Sequence, residues 1–153
     1  PLFSGFMYAS VGSYLARVWR AFDFRFDHYP PVWVTACIAG AIYINFFIHH
    51  YWVDFRLALF VCTALMFRRT WIYFSVVQGR YRMPVLLAIF LGAFFIWVAE
   101  NIATYGGVWL YPHQTQAWEL VPLSKLGSWF LLMIISGVLL TFVQQPEEEN
   151  HRT

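Results

Sequence analysis

Residues 84–103 read PVLLAIFLGAFFIWVAENIA, and this stretch decides the fold. A helix that crosses a bilayer needs about 20 mainly apolar residues, because each residue adds only about 1.5 Å of height. Residues 84–103 meet that length, and Glu100 is the only charged residue among them. Pro84 stands at the first turn, where the N–H that proline lacks would have no helical partner. The stretch therefore predicts a transmembrane helix that begins at Pro84.

Four other segments are apolar in the same way. They are residues 2–19, 32–51, 53–77 and 128–143. Only 12% of the chain is charged, whereas a soluble domain carries about 25%, so too little polar surface is available to cover a globule in water. We therefore predict an all-α fold, a polytopic transmembrane helical bundle with about five spans, which ends in a polar cytoplasmic tail at residues 146–153.

The loop arginines predict how this bundle is oriented. The first and third connections hold Arg17, Arg20, Arg25, Arg80 and Arg82. The second and fourth connections hold only Arg56 and Lys125. Short basic loops stay on the cytoplasmic side, so we expect the N-terminus outside and the C-terminus inside a bacterial inner membrane. The arginines form no continuous basic stripe, which argues against a nucleic-acid partner.

Arg68 and Arg69 fall inside the predicted third span, where a charged side chain is costly. Counting from Trp52 at the outer edge, Arg68 lies ~24 Å along a helix in a hydrocarbon core of about 30 Å. The inner boundary is then ~6 Å away, within the reach of a long side chain that extends to the interface. We interpret the pair as interfacial anchors. The alternative is a role in gripping a phosphate or a lipid headgroup.

Polar side chains gather at one predicted depth, at the outer ends of the second, third and fourth spans. The candidates for binding a ligand are Asn45, His49, His50, Asp54, Asn101, Tyr105, Trp109 and Tyr111. Glu100 joins them as a short carboxyl that should face a partner or a wet cavity. It is either pinned by hydrogen bonds or a catalytic proton donor. The histidine pair with Asp54 is likewise either a ligand site or an interfacial hydrogen-bonding cluster.

The histidines and cysteines do not predict a metal site or a disulfide. Neither an H-x-x-H nor an H-E-x-x-H spacing occurs in the chain, and these are the spacings that place two histidine ligands on one helix face. Cys37 and Cys62 lie within apolar runs, where cysteine behaves as a small hydrophobic residue.

Three strings are fairly specific: PLFSGFMYASVGSY at residues 1–14, YINFFIHHY at 43–51 and WVAENI at 97–102. Through them the chain resembles a tryptophan-rich family of bacterial integral membrane proteins, a domain of unknown function. Members of that family usually continue upstream with further membrane segments. The resemblance therefore implies that this chain corresponds to the C-terminal portion of such a protein.

A looser pattern begins with an acidic residue at the end of a span. A block of glycine, aromatic residue and tyrosine follows, and then residues 121–123, which read VPL. This order is similar to that of membrane carotenoid hydratases and lycopene cyclases. The resemblance implies that Glu100 is the acid and that Tyr105, Trp109 and Tyr111 lie beside the substrate.

Functions of different classes fit these observations. The first is a non-catalytic subunit or binder of a lipophilic molecule (a carotenoid, another isoprenoid or a lipid), with membrane lipids and other subunits or further copies of the chain as partners. The aromatic fraction of 22% and the lack of a complete catalytic signature favour it. The alternative is an enzyme in which Glu100 protonates an isoprenoid double bond and aromatic rings stabilise the cation. A transporter fits the Gly-interrupted spans, but no repeated pair of broken helices is evident.

Overall fold

The computed structural model describes residues 2–48 and 54–144, with side chains from residue 9 onward. The helices in these ranges are α1 (Leu2–Ala21), α2 (Val32–Ile48), α3 (Arg56–Phe67), α4 (Val85–Tyr105) and α5 (Leu123–Val143). The strands are β1 (Arg25–Asp27), β2 (Trp71–Val76) and β3 (Gly79–Pro84), and a single 3-10 turn spans Pro112–Gln114. The protein is mostly helical, as predicted, but it is not all-α. The predicted tail at residues 146–153 lies outside the described residues.

Helices α4 and α5 are the two described helices that are long and apolar enough to cross a membrane. The prediction of about five spans is therefore wrong for the part of the chain that the structure describes. Helices α2 and α3 have 17 and 12 residues, which at about 1.5 Å per residue fall short of a core of about 30 Å. Helix α1 is long enough, but polar residues such as Ser13 and Arg17 interrupt its apolar run.

Both apolar helices are bounded by residues that suit helix ends. Pro84 precedes α4 and Pro122 precedes α5, where the fixed φ of proline helps to start a helix and its missing N–H costs nothing. At the other end of α4, the N–H of Gly106 donates to the Ile102 carbonyl. Gly107 follows with φ of 69°, a left-handed conformation that glycine adopts without steric cost.

The segment predicted as the third span, residues 53–77, contains two different structures. Helix α3 ends at Phe67, and strand β2 begins at Trp71 and pairs with β3 in an antiparallel hairpin. The physical reason is the composition of residues 70–77, which are aromatic or β-branched at every position except Ser75. Such residues pack well on a pleated surface and lose side-chain freedom in a helix. The prediction of one continuous helix over this segment is therefore wrong, although the segment is apolar as stated.

Arg68 and Arg69 follow α3 directly, and both are exposed. The prediction that they lie inside a span is wrong because the helix ends at Phe67. The depth count from Trp52 assumed one continuous helix and does not apply to them. Their role as anchors, with phosphate or headgroup binding as the alternative, stays a prediction.

The three strands form an antiparallel sheet in the order β1-β2-β3, and its two faces differ in chemistry because alternate residues of a strand point to opposite sides. The apolar face carries Phe26, Ile72, Phe74, Val76 and Met83. On the other face Arg25, Tyr73 and Arg82 are neighbours across the strands. The Arg82 guanidinium also lies 5.0 Å from the centre of the Trp71 ring.

The helix directions place this sheet at one end of the bundle and the α4–α5 loop at the other. At the sheet end, Tyr29 lies beside Thr35 at the start of α2 and Thr141 at the end of α5. At the opposite end, which we call the loop end, Phe60 of α3 packs on Phe130 of α5 with ring centroids 5.8 Å apart. The end of α2, the start of α3 and the loop of residues 106–122 therefore lie at the same end.

Helix α5 is the centre of the packing and contacts α1, α2 and α4. Its buried side chains follow a helical repeat, with Leu131, Ile134 and Val138 each at most 2% exposed. They meet Ile42 of α2 and Val85 of α4 in one apolar cluster. This arrangement fixes the relative positions of α4 and α5, on which the candidate site depends.

The β2–β3 turn holds a residue in an unfavourable conformation. Val76 pairs with Gly79, so Val77 and Gln78 form a two-residue turn. Val77 has φ of 55° and is 98% exposed. A residue with a Cβ pays about 1–2 kcal/mol in that region, and glycine is preferred at a turn position that needs positive φ.

We predict that Val77→Gly raises the free energy of unfolding by roughly 1 kcal/mol, because it removes that strain. Unfolding by heat or urea in a mild detergent measures the change. Gln78→Gly is the matched control, because Gln78 has no positive φ to relieve and should gain nothing. Equal stability of the two variants would contradict the strain at Val77.

Candidate functional site

Glu100 lies near the C-terminal end of α4 and is only 5% exposed. Its Oε1 accepts a hydrogen bond from the Tyr111 hydroxyl in the loop after α4. Its Oε2 accepts one from Trp129 Nε1 on α5 at 2.9 Å. A buried carboxyl is strongly unfavourable unless its oxygens are hydrogen-bonded, and here both oxygens have donors. A single side chain therefore ties α4, α5 and the 106–122 loop together.

Asn101 makes a second clamp beside Glu100. Its Nδ2 donates to the Trp97 carbonyl at 2.8 Å, and its Oδ1 accepts from the backbone N–H of Val121 at 2.9 Å. The carbonyl of Val121 in turn accepts a hydrogen bond from Trp97 Nε1 at 3.1 Å. Both backbone groups of a fully buried loop residue are thus satisfied by side chains of α4. This seats the end of the loop just before Pro122 starts α5.

The loop between these clamps also holds itself in place. The Gln114 side chain, 2% exposed, accepts from the Tyr111 N–H at 3.1 Å and donates to the Glu119 carbonyl at 2.6 Å. Trp118 Nε1 donates to Thr104 Oγ1 on α4 at 3.2 Å. The loop is therefore a structured cap on the end of the bundle.

Asn45 and Asp54 shape the α2–α3 connection at the same end. Asn45 is 5% exposed, and its Oδ1 accepts from the Phe55 N–H at 3.0 Å. Asp54 accepts from the Arg56 side chain at 2.7 Å and from the Arg56 backbone N–H at 3.0 Å. These bonds lower the pKa of Asp54 to about 2, so it is ionised at neutral pH. Both residues thus have structural partners on the chain itself.

The structure places the Tyr111 hydroxyl against Glu100, beside Asn101. Asn45 and Asp54 lie at the same loop end, where their described bonds hold the start of α3. The convergence of Asn45, His49, His50, Asp54, Glu100 and Asn101 on one ligand site stays a prediction.

The remaining predicted ligand residues have different surroundings. Tyr105 is 75% exposed, and its ring meets Trp118 edge-on at 5.3 Å. Trp109 is half-buried in the loop. His49 and His50 lie outside the described residues, so their predicted role is not addressed by this geometry.

The described ranges contain no group of three or more His, Cys, Asp or Glu side chains that could hold a metal ion. Cys37 on α2 and Cys62 on α3 are exposed free thiols. Neither cysteine is therefore part of the apolar core, although each lies in an apolar run.

A large apolar cleft lies between α1, α4, α5 and the apolar face of the sheet. Its volume is about 890 Å³. Its walls include Val11 and Val18 of α1, Ile89 and Phe95 of α4, and Val138 of α5. None of the described residues that line it is charged. Glu100 is not part of the lining, although its neighbour Ala99 is.

Aromatic rings line the sheet end of this cleft in a continuous chain. The Trp19 and Phe26 ring centroids are 5.0 Å apart, those of Phe26 and Tyr29 are 5.3 Å apart, and those of Tyr29 and Phe67 are 5.9 Å apart. Aromatic pairs at these separations contribute more than their buried area alone. Trp19, Phe26, Tyr29 and Phe67 therefore form an aromatic floor of the cleft.

Sequence reasoning missed Trp97, Gln114 and Trp129 as members of the Glu100 network, and it missed the cleft. Trp129 carried a usable signal, because a buried indole N–H needs an acceptor and Glu100 is the carboxyl nearest in predicted depth. Gln114 carried none, because a glutamine in a polar loop is ordinarily exposed. The cleft is built from several elements, and one of them is a sheet that the sequence did not predict.

We predict that Glu100→Ala lowers the free energy of unfolding by about 2–4 kcal/mol. The variant removes an acceptor from the buried Trp129 N–H, at about 1–3 kcal/mol, and one from the half-buried Tyr111 hydroxyl, at about 1 kcal/mol. Glu100→Gln should cost less, since its amide oxygen still accepts from Trp129 and its NH₂ can donate to Tyr111. Glu119→Ala is the matched control, because Glu119 is an exposed carboxyl whose backbone makes the described bond. A Glu100→Ala variant as stable as this control in detergent unfolding would refute the clamp.

Two comparisons with known proteins match this chain. A family described as protein of unknown function (DUF817) matches residues 1–137. The uncharacterized protein YoaT of Bacillus subtilis (strain 168) is 45% identical over 150 residues, which is 98% of this chain and 57% of YoaT. The chain thus spans a little over half the length of the curated relative it matches. No solved structure matches the chain.

Neither of these two matches is to a carotenoid hydratase or a lycopene cyclase. The looser resemblance to those enzymes therefore stays a hypothesis. The resemblance to a bacterial family of unknown function, in contrast, is confirmed over most of the chain. With its first 137 residues matching the family and nearly half of its residues identical to those of YoaT, the chain belongs to the DUF817 family.

Proposed function

We propose that this chain is an integral membrane protein that binds a lipophilic molecule in its apolar cleft, as a non-catalytic part of a larger membrane assembly. The cleft is the observation that carries the proposal. Its volume of about 890 Å³ falls in the range of roughly 300–1,000 Å³ typical of ligand pockets. Its uncharged lining suits an isoprenoid, a pigment or a lipid, because apolar surface of that extent is unfavourable in water.

The outer surface of the helices supports placement in a membrane. Helices α4 and α5 are long and apolar enough to span one. Large apolar side chains also point outward from the bundle, among them Phe47 on α2 at 60% exposed and Leu139 on α5 at 59%. In water such side chains favour aggregation, whereas hydrocarbon or a neighbouring subunit would cover them at no cost.

The distribution of arginines supports an orientation in a bacterial inner membrane. Arg20, Arg25, Arg80 and Arg82 lie on elements at the sheet end, with Arg68 and Arg69 between α3 and β2. The loop end has only Arg56 and Lys125 among its described lysines and arginines. Basic loops favour the cytoplasmic side, so the sheet end is proposed to face the cytoplasm.

Reporter fusions test this orientation directly. We predict that a reporter active only in the cytoplasm gives a signal when it is fused after Arg82. A reporter active only outside the cytoplasm should give a signal when it is fused after Lys125, because α4 lies between the two positions. The opposite pair of results would mean that the protein has the inverse orientation. Identical compartments for both fusions would mean that α4 does not cross the membrane.

The enzyme alternative rests on Glu100 and the Tyr111 hydroxyl that contacts it. A general acid has to reach the atom that it protonates, at about 2.6–3.2 Å or through one water. Both oxygens of Glu100 already accept hydrogen bonds, and the residue does not line the cleft. A ligand held in the cleft would therefore lie away from this carboxyl, which favours binding over proton transfer.

Two glycines offer a matched test of ligand binding. Gly137 lines the cleft, whereas Gly40 lies on the exposed surface of α2, and a Cβ at either position would meet no atom within 4 Å. We predict that Gly137→Leu lowers the amount of lipophilic molecule that co-purifies in mild detergent about tenfold, equivalent to about 1.4 kcal/mol. Gly40→Leu should retain the amount bound by the unmodified protein. Solvent extraction and mass spectrometry measure both.

Equal ligand content in Gly137→Leu and Gly40→Leu would contradict binding in the cleft. Ala99→Leu provides a second cleft variant, because Ala99 lines the cleft at its other end. Size-exclusion chromatography confirms folding before the ligand content is compared. A stoichiometric ligand that is lost in both cleft variants supports the proposal.

A further inference from the structure

The polar groups at the sheet end of the cleft point to the chemical class of its ligand. Tyr29 and Thr141 both line the cleft, and Tyr29 lies beside Thr141 and Thr35. The two threonines are at most 3% exposed. We infer that the cleft binds a long neutral lipophilic alcohol, whose hydroxyl donates to this Tyr29–Thr141 pair. The inference rests on the proposed binding function of the cleft.

The direction of the hydrogen bonds decides which ligand group fits. Thr35 Oγ1 donates to the Val32 carbonyl at 2.9 Å, and Thr141 Oγ1 donates to the Val138 carbonyl at 2.7 Å. Their hydroxyl protons are therefore committed to their own helices, so Thr141 can only accept a further hydrogen bond, whereas the Tyr29 hydroxyl can both donate and accept. A hydroxyl has one proton and two acceptor lone pairs, so lone pairs remain available. A ligand satisfies them with a donor, as an alcohol does.

Charge argues against an anionic ligand at the same position. A carboxylate or a phosphate offers only acceptors and would meet the lone pairs of Thr141. Among the described residues that line the cleft there is no lysine or arginine, so these residues would give a buried anion no counter-ion, which is strongly unfavourable. The sheet arginines Arg25 and Arg82 belong to the opposite face. Burial raises the pKa of Tyr29, so the phenol keeps its proton.

The shape of the cleft favours an extended chain. Its wall on α4 runs from Val85 to Ala99, which is ~21 Å at about 1.5 Å per residue. One leaflet of a bilayer core is about 15 Å thick, so an apolar chain longer than one leaflet fits when its hydroxyl lies at Tyr29. A polyprenol, a hydroxylated polyene or a long fatty alcohol has this combination of length and polarity.

The test uses three probes with the same 20-carbon polyprenyl chain: the alcohol, the carboxylic acid and the hydrocarbon. Competition with the bound ligand, measured on the purified protein in detergent, gives relative affinities. We expect the alcohol to bind at least about tenfold more tightly than the acid. Tyr29→Phe should weaken the binding of the alcohol about three- to tenfold, which is the effect of one hydrogen bond. The affinity for the hydrocarbon should stay unchanged.

Tyr14→Phe is the matched control, because Tyr14 also lines the cleft but is 68% exposed. This variant should bind the alcohol and the hydrocarbon as tightly as the unmodified protein does. Thr141→Val provides a second variant if Tyr29→Phe does not fold, with the same expected loss for the alcohol alone. An acid that binds as tightly as the alcohol overturns the inference, and so does equal alcohol binding in the Tyr29 and Tyr14 variants. A hydrocarbon that does not bind, or that binds Gly137→Leu undiminished, overturns the proposed function as well.

Discussion

The buried carboxyl of Glu100 constrains the loop end of the protein. An acidic side chain in an apolar helix has to find hydrogen-bond donors within the protein or remain in contact with water. Glu100 obtains its donors from two other segments, Tyr111 in the loop and Trp129 on α5. Those two bonds require the loop to fold back over the end of α4 and require α5 to begin beside it. The position of α5, and with it the core around Ile134, follows from that requirement.

At the loop end a polar group is buried together with its hydrogen-bond donors. At the sheet end, in contrast, polar groups are kept apart from an apolar surface. The three strands turn one face with Phe26, Ile72 and Met83 toward the bundle and carry Arg25 and Arg82 on the other. A sheet can separate side chains in this way over a few residues, because its repeat is two. The cleft floor is therefore apolar even though basic residues lie on the same strands. Tyr29 and Thr141 are the main polar groups left at that end of the cleft.

The part of the fold that could be predicted was the part specified locally. Helix α4 was predicted at residues 84–103 and lies at Val85–Tyr105, because Pro84 and the Gly106-Gly107 pair mark its ends. Helix α5 begins at Leu123, a turn earlier than predicted, since Pro122 was assigned to the loop although it immediately precedes the helix. The hairpin was missed because a short apolar run has the same pattern in a buried strand as in a helix.

The site was predictable to a similar degree and for the same reason. Residue counts from helix ends placed Glu100, Asn101 and Tyr111 at one depth, and these residues meet. Counting could not assign the donors of Glu100, which come from 11 and 29 residues away and depend on how the helices pack. Nor could it find Tyr29 beside Thr141, because these residues lie far apart in the sequence and meet only when α2 and α5 run antiparallel.

The difference between the predicted and the observed fold also explains why a cleft exists. A full third span would have placed a straight helix beside α4 along its whole length. Instead α3 stops at Phe67, and the chain forms the hairpin before α4 begins at Val85. The hairpin brings flat apolar side chains such as Phe74 under the space beside α1 and α4, where Gly137 of α5 presents no side chain. A sheet on one side and a glycine on the other enclose a volume that close helix packing would have filled. The same departure from five full spans thus creates both the floor of the cleft and the room above it.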